Sequence, residues 1–103
     1  MTRMPELSDF KRDLLMTLAR SESTHGSGLV DDLSCLRAEE VTKGRLYKNL
    51  DELHDHGLIE KRVRTENDNR RNEYALTTEG RESIRQHAQR VAGAADSING
   101  GAA

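Results

Sequence analysis

The sequence has no tryptophan, a single phenylalanine and two tyrosines, so any core it builds must be mainly aliphatic. It has one cysteine, Cys35, which excludes an internal disulfide framework. No apolar run approaches the roughly 20 residues that a membrane-spanning helix requires, and no signal-peptide-like apolar segment opens the chain. The expectation is a soluble, cytoplasmic protein with no membrane partner. Catalytic constellations are missing as well: there is no Ser/His/Asp set, no pair of catalytic carboxylates, no phosphate-cradling loop and no zinc spacing. His54 and His56 stand two apart on one helix and so point to different faces, which excludes a chelate between them. The chain reads as no enzyme, with no cofactor and no metal.

What is present is charge. A third of the 103 residues are charged, yet the net charge is only −2. The distribution matters more than the total. Lys43, Arg45, Lys48, Lys61, Arg62, Arg64, Arg70 and Arg71 outnumber the acidic residues between 43 and 71, leaving that stretch at +2 and the remainder at −4. The local field, not the total charge, decides where a polyanion docks.

Periodicity places these residues. Leu7, Phe10, Leu14, Leu15 and Leu18 form an apolar stripe at helical spacing after Ser8 as N-cap, predicting a first helix to about Arg20. Residues 21–28 read as a polar breaker containing His25. A short second helix follows, with Leu29, Val30, Leu33 and Leu36 facing inward and Cys35 beside them as a packed thiol. Glu39, Glu40 and Val41 form a turn into a third helix capped by Thr42, buried through Leu46, Leu50 and Leu53 and closed by Gly57. Beyond it Ile59 and Val63 share one strand face while Glu60, Arg62 and Arg64 share the other. Residues 66–72 have turn composition, 73–76 return as a strand, and Thr77 caps a last helix over about 78–92 or beyond. The order ααα-ββ-α, mainly helical with a small β-hairpin wing, is that of a winged helix-turn-helix.

In that fold the third helix enters the major groove and the hairpin flanks it. Arg45 is the best-placed residue for a bidentate contact to guanine, and Asn49 for one to adenine. Lys43 and Lys48 suit flanking phosphates, Thr42 a phosphate at the helix N-terminus, and Gly44 a close approach of the DNA backbone. Tyr47 lies beside the buried stripe, with its hydroxyl available to a phosphate. Arg62 and Arg64 on the strand, with Arg70 and Arg71 at the hairpin tip, suit the neighbouring minor groove. On the last helix Ile84, Ala88, Val91, Ala95 and Ile98 alternate spacings of four and three, a heptad-like seam for a homodimer. The chain divides into a DNA-binding unit (1–77), a dimerisation helix (78–98) and a disordered tail (99–103).

Four segments resemble the PadR-like winged-helix regulators. Thr24-His25-Gly26-Ser27-Gly28-Leu29 is similar to that family's histidine-glycine and leucine before its second helix. Val41-Thr42-Lys43-Gly44-Arg45-Leu46-Tyr47 resembles the start of its recognition helix, valine-serine-proline-glycine-threonine-leucine-tyrosine. Leu53-His54-Asp55-His56-Gly57-Leu58-Ile59 resembles the exit to its wing, and Tyr74-Ala75-Leu76-Thr77-Thr78-Glu79-Gly80-Arg81 its close. The resemblance implies a dimeric transcriptional regulator, usually a repressor, dimerising through its C-terminal helix. Lys43 and Lys48 stand where prolines are common in the family, which changes the DNA-facing surface. With one helix after the wing the chain is like the short-tailed members, so effector pockets of long-tailed relatives do not transfer. Two further readings stay open. One is a winged helix that docks a protein partner without its own operator. The other is a DNA-binding dimer that also senses an unknown small molecule or, through Cys35, an oxidant.

Overall fold

The computed structural model describes residues 4–21, 24–66 and 69–100. After a 3₁₀ turn at Met4–Glu6, the Ser8 hydroxyl accepts from the Lys11 N–H at 3.2 Å and starts helix α1 (Asp9–Ser21). A two-residue strand β1 (Thr24–His25) leads into α2 (Gly26–Arg37), and a turn leads into α3 (Lys43–Asp55). The hairpin consists of β2 (Ile59–Glu66) and β3 (Asn69–Leu76), and α4 (Thr78–Gly100) closes the order. Strand order is β1-β3-β2, antiparallel throughout. Met4, Leu7, Phe10, Leu14, Leu15, Leu18, Leu29, Leu33, Val41, Leu46, Leu50, Leu53, Leu58, Ile59, Tyr74 and Leu76 make one mainly aliphatic core, with Val30 and Ile84 packed against its edge.

Three sequence expectations need correction. Residues 24–25 are not merely a breaker: Thr24 pairs with Tyr74 and His25 with Glu73, and α2 starts at Gly26. The free edge of β3 offers unpaired backbone groups, and these two residues satisfy them. Residues 69–72 are strand rather than turn, since Glu66 pairs with Asn69 and only 67 and 68 are left between the strands. Asparagine and arginine are poor indicators of a strand, but ladder pairing overrides local preference. Finally, Leu36 is 44% exposed and Cys35 is exposed, so the expected packed thiol is not packed. Both line an open groove of about 440 Å³ beside Thr17, Arg20, Ser21 and Asp32, where the flank of α2 lies against the end of α1 without further cover.

Helix ends explain how α3 is aimed. Leaving α2, the Ala38 N–H donates to the Cys35 carbonyl (3.3 Å) and Glu39 N–H to Ser34 carbonyl (3.2 Å), with Ala38 at φ +53°. This paired-carbonyl ending normally uses glycine, because a β-carbon disfavours that backbone region. Ala38→Gly should therefore leave the fold unchanged and raise its stability by about 0.5–1 kcal/mol in urea denaturation. A loss of stability would show that alanine is comfortable there. At the other end of α3 the same motif recurs with Gly57 at φ +76°: Gly57 N–H donates to His54 carbonyl (2.9 Å) and Leu58 N–H to Leu53 carbonyl (3.1 Å). Thr77 then joins three elements. Its hydroxyl donates to the Gly57 carbonyl at 2.7 Å and accepts from the Gly80 N–H at 3.1 Å, while its own N–H donates to the Leu58 carbonyl at 3.1 Å. The exit of α3, the base of the hairpin and the start of α4 are thus fixed together.

Candidate nucleic-acid interface

Helix α3 begins where its sequence says it should. Thr42 is extended (φ −81°, ψ 152°) and its side chain accepts from the Arg45 N–H at 3.2 Å. Val41 before the cap and Leu46 in the next turn are both buried, the positions of a hydrophobic staple that sets the angle of chain entry. Leu46, Leu50 and Leu53 bury one side completely. At 100° per residue the opposite side runs through Gly44, Lys48 and Asp55, all exposed, with Thr42 and Lys43 exposed at the positive end of the helix dipole. A β-carbon built on Gly44 would meet nothing within 4 Å, so this turn is open to a close-approaching backbone. Tyr47 is part-exposed on the side that faces the hairpin. There the Tyr74 hydroxyl is pushed above its usual pKa by burial and by nearby Tyr47 and Asp51.

Two expected base-reading side chains are engaged elsewhere. Arg45 turns toward α1: its guanidinium carbon lies 4.1 Å from the centre of the Phe10 ring, and Nη1 donates to Glu39 Oε1 at 3.0 Å. Asn49 folds along its own helix, with Nδ2 donating to the Arg45 carbonyl at 2.8 Å. Residues Arg37, Glu39 and Phe10, which hold this flank, were not among the sequence candidates. Arg37 is only 13% exposed, and its guanidinium donates to Asp13 (2.7 Å) and Glu39 (2.7 Å) while sitting 5.0 Å from the same Phe10 ring. The Glu39 carboxyl is held below its ordinary pKa, chiefly by its hydrogen bond from Arg37 and also by the Arg45 charge. Arg37 is raised in turn, the hydrogen bond to Glu39 being the largest cause. The charge of Glu39 three residues before the cap was a signal, but the Phe10 ring that meets the same two arginines is far away in sequence.

On the hairpin, the register pairs Arg62 with Glu73 and Arg64 with Arg71, so these four share one face. Arg62 bridges to Glu60 at 2.8 Å and Arg64 to Glu73 at 3.2 Å, with most of both guanidiniums in solvent. Arg71 is exposed and has no ion-pair partner among the described residues. Arg70 pairs with Thr65 in the ladder, and its side chain lies outside the described residues. Neither arginine is at a tip as expected, since both belong to β3 and pair with Thr65 and Arg64 of β2; residues 67 and 68 lie outside the described residues. The structure thus brings Gly44 and Lys48 to one outward side of α3 and leaves Lys43 exposed at its N-terminal end. Arg62, Arg64 and Arg71 form a second basic strip on the hairpin, and Arg45 and Asn49 are turned aside.

The seam residues of α4 fall into two groups. Ile84 is half-buried against its own core, whereas Ala88, Val91 (56%), Ala95 and Ile98 (78%) are exposed. No helix among the described residues is long and apolar enough to cross a membrane, and no cluster of His, Cys, Asp and Glu there is arranged to hold a metal ion.

Residues 14–86 match the model of the transcriptional regulator PadR-like family. Among solved structures, RosR of H. salinarum is 38% identical, with a TM-score of 0.73 over 84% of this chain and 74% of its own. A PadR-family transcriptional regulator from Eggerthella lenta is 20% identical, with a TM-score of 0.66 over 88% of this chain and 83% of its own. A transcriptional regulator from Clostridium thermocellum, 18% identical, covers 96% of each chain at a TM-score of 0.66. The last two show the likeness of fold. No curated protein matches the chain.

Proposed function

The chain belongs to the PadR-like family of transcriptional regulators, and from that premise we propose that it is a homodimeric repressor that occludes a promoter by binding a pseudo-palindromic operator. The α3 surface of Thr42, Lys43, Gly44 and Lys48 lies in a major groove, with Tyr47 at its edge and Arg45 and Asn49 swinging in to read bases. Arg62, Arg64, Arg70 and Arg71 of the hairpin contact the adjacent backbone and minor groove. Two protomers joined through Ile84, Ala88, Val91, Ala95 and Ile98 set the two α3 helices about 34 Å apart, one turn of the duplex.

The observation that carries this reading is the Arg64–Arg71 pair. Like charges directly opposite in a ladder disfavour a hairpin, and although Glu73 offsets Arg64, Arg71 has no ion-pair partner among the described residues that would account for its place in folding. A polyanion does. With six to eight phosphates neutralised per dimer, log K should fall against log salt with a slope of about −5 to −7. Arg71→Ala should make that slope shallower by about 2, one contact per protomer, without lowering fold stability. The test is a salt-titrated binding assay on the DNA upstream of its own gene, with random duplex as competitor. Tight, competitor-resistant binding of a dimer supports the regulator with its own operator. Weak binding, equal on both DNAs and insensitive to Arg71→Ala, favours the alternative of a winged helix that docks a protein partner.

A further inference from the structure

Arg45 is the residue whose position fits its proposed task least well. It belongs to the first turn of α3, where side chains of a groove-bound helix meet base edges. Yet its guanidinium lies across the seam between α1 and α3, over the Phe10 ring and on the Glu39 carboxylate, to one side of the outward line through Gly44 and Lys48. Its Nη1 is occupied by Glu39, and one face of the guanidinium is occupied by the ring. Neither is available to a duplex in this arrangement.

The holder is itself held. Glu39 Oε1 accepts from both Arg45 Nη1 and Arg37 Nε, and Arg37 is anchored at 2.7 Å to Asp13 on α1. Phe10 is 3% exposed and part of the core. When Arg45 moves outward, Glu39 and Phe10 therefore stay behind. Their contacts with Arg45 are lost rather than carried along, and acceptors on the DNA must replace them.

We propose that Glu39, with the Phe10 ring, is a latch that stores Arg45 away from the duplex and thereby lowers the affinity of the operator-bound state. The proposal rests on the reading above in which Arg45 contacts DNA. The apparent dissociation constant of such a state is the intrinsic one divided by the fraction of molecules with Arg45 released. For an ion pair this exposed, the Glu39 part of the latch amounts to about a three-fold effect. Glu39→Gln loosens the latch and also removes a negative charge near the DNA. The two effects separate because only the first depends on Arg45.

The experiment uses the full chain and a duplex that the wild-type protein enriches from a randomised pool, read by fluorescence anisotropy for wild type, Glu39→Gln, Arg45→Ala and the double variant. Glu39→Gln should tighten binding about three-fold beyond whatever it does in the Arg45→Ala background. An equal gain in both backgrounds overturns the latch in favour of simple charge repulsion. Weaker binding by Glu39→Gln overturns it in favour of Glu39 aiming Arg45 at the DNA. An Arg45→Ala variant that binds the enriched duplex as wild type does removes the premise that Arg45 contacts DNA. A second readout tests the latch without reference to affinity. Arg45 side-chain protons should be shifted upfield by the Phe10 ring in the free protein, toward ordinary positions in Glu39→Gln, and fully so on adding duplex. Unshifted protons in the free protein, or shifted ones in the saturated complex, overturn the proposal.

Discussion

Gly80→Ala should cost the fold about 3 kcal/mol, a fall in melting temperature of roughly 15 °C for a domain this small. A β-carbon on Gly80 would stand 2.1 Å from the Leu58 carbonyl oxygen, 3.2 Å from its carbon and 3.3 Å from Leu76 Cδ2. The first contact is with backbone, so no rotamer change relieves it. That same carbonyl accepts the Thr77 N–H, and Thr77 in turn holds the Gly57 carbonyl, so α4 cannot retreat without releasing the exit of α3. Urea denaturation of the variant should show a lower midpoint at an unchanged slope. A loss below about 1 kcal/mol would mean that α4 shifts freely against the hairpin and that the junction at Thr77 is not rigid. The functional consequence follows from the junction. In the proposed dimer, where α4 sets the partner and α3 meets the DNA, a displaced α4 would change the spacing of the two α3 helices before it changed either surface.

The features that can be read from the sequence are those determined locally. The Thr42 cap, the leucines at 46, 50 and 53, Gly57 at positive φ and the Thr77 cap depend on residues within a few positions of one another, and each is where its spacing implies. What spacing does not reveal depends on distant partners. β1 exists because β3 has an edge to fill, and residues 69–72 are strand because β2 pairs with them. Leu36 continues the helical spacing of Leu33, yet the packing of α1 against α2 leaves it uncovered. The candidate interface divides the same way. Gly44 and Lys48 lie outward because the buried stripe of α3 dictates the opposite side, and Lys43 is exposed because it opens the helix. Arg45 shares their segment, but its side chain is directed by Phe10 and Glu39, and helical phase alone does not reveal that.

The largest effect on binding is expected from α4. Replacing Val91 and Ile98 together by glutamate should leave the domain folded, since both side chains are exposed and neither belongs to the core. It should nonetheless abolish the dimer, because two carboxylates per protomer would face their copies across a narrow apolar seam. The free chain leaves the outer half of a 23-residue helix uncovered, and a helical segment with so little packing is marginal in water. Covering it with a second copy supplies the missing contact in a symmetric way. Joining two DNA-binding units turns the second half-site contact into an intramolecular step, which multiplies affinity by about 10² to 10⁴. The double variant should therefore sediment as a monomer and lose operator affinity by roughly that factor, with the salt slope about halved. Its single-site contacts should persist, so weak binding to any duplex remains. Full operator affinity in a monomeric variant would separate DNA binding from dimerisation and end the two-groove arrangement. A variant that remains dimeric would instead place the interface elsewhere than Ile84, Ala88, Val91, Ala95 and Ile98.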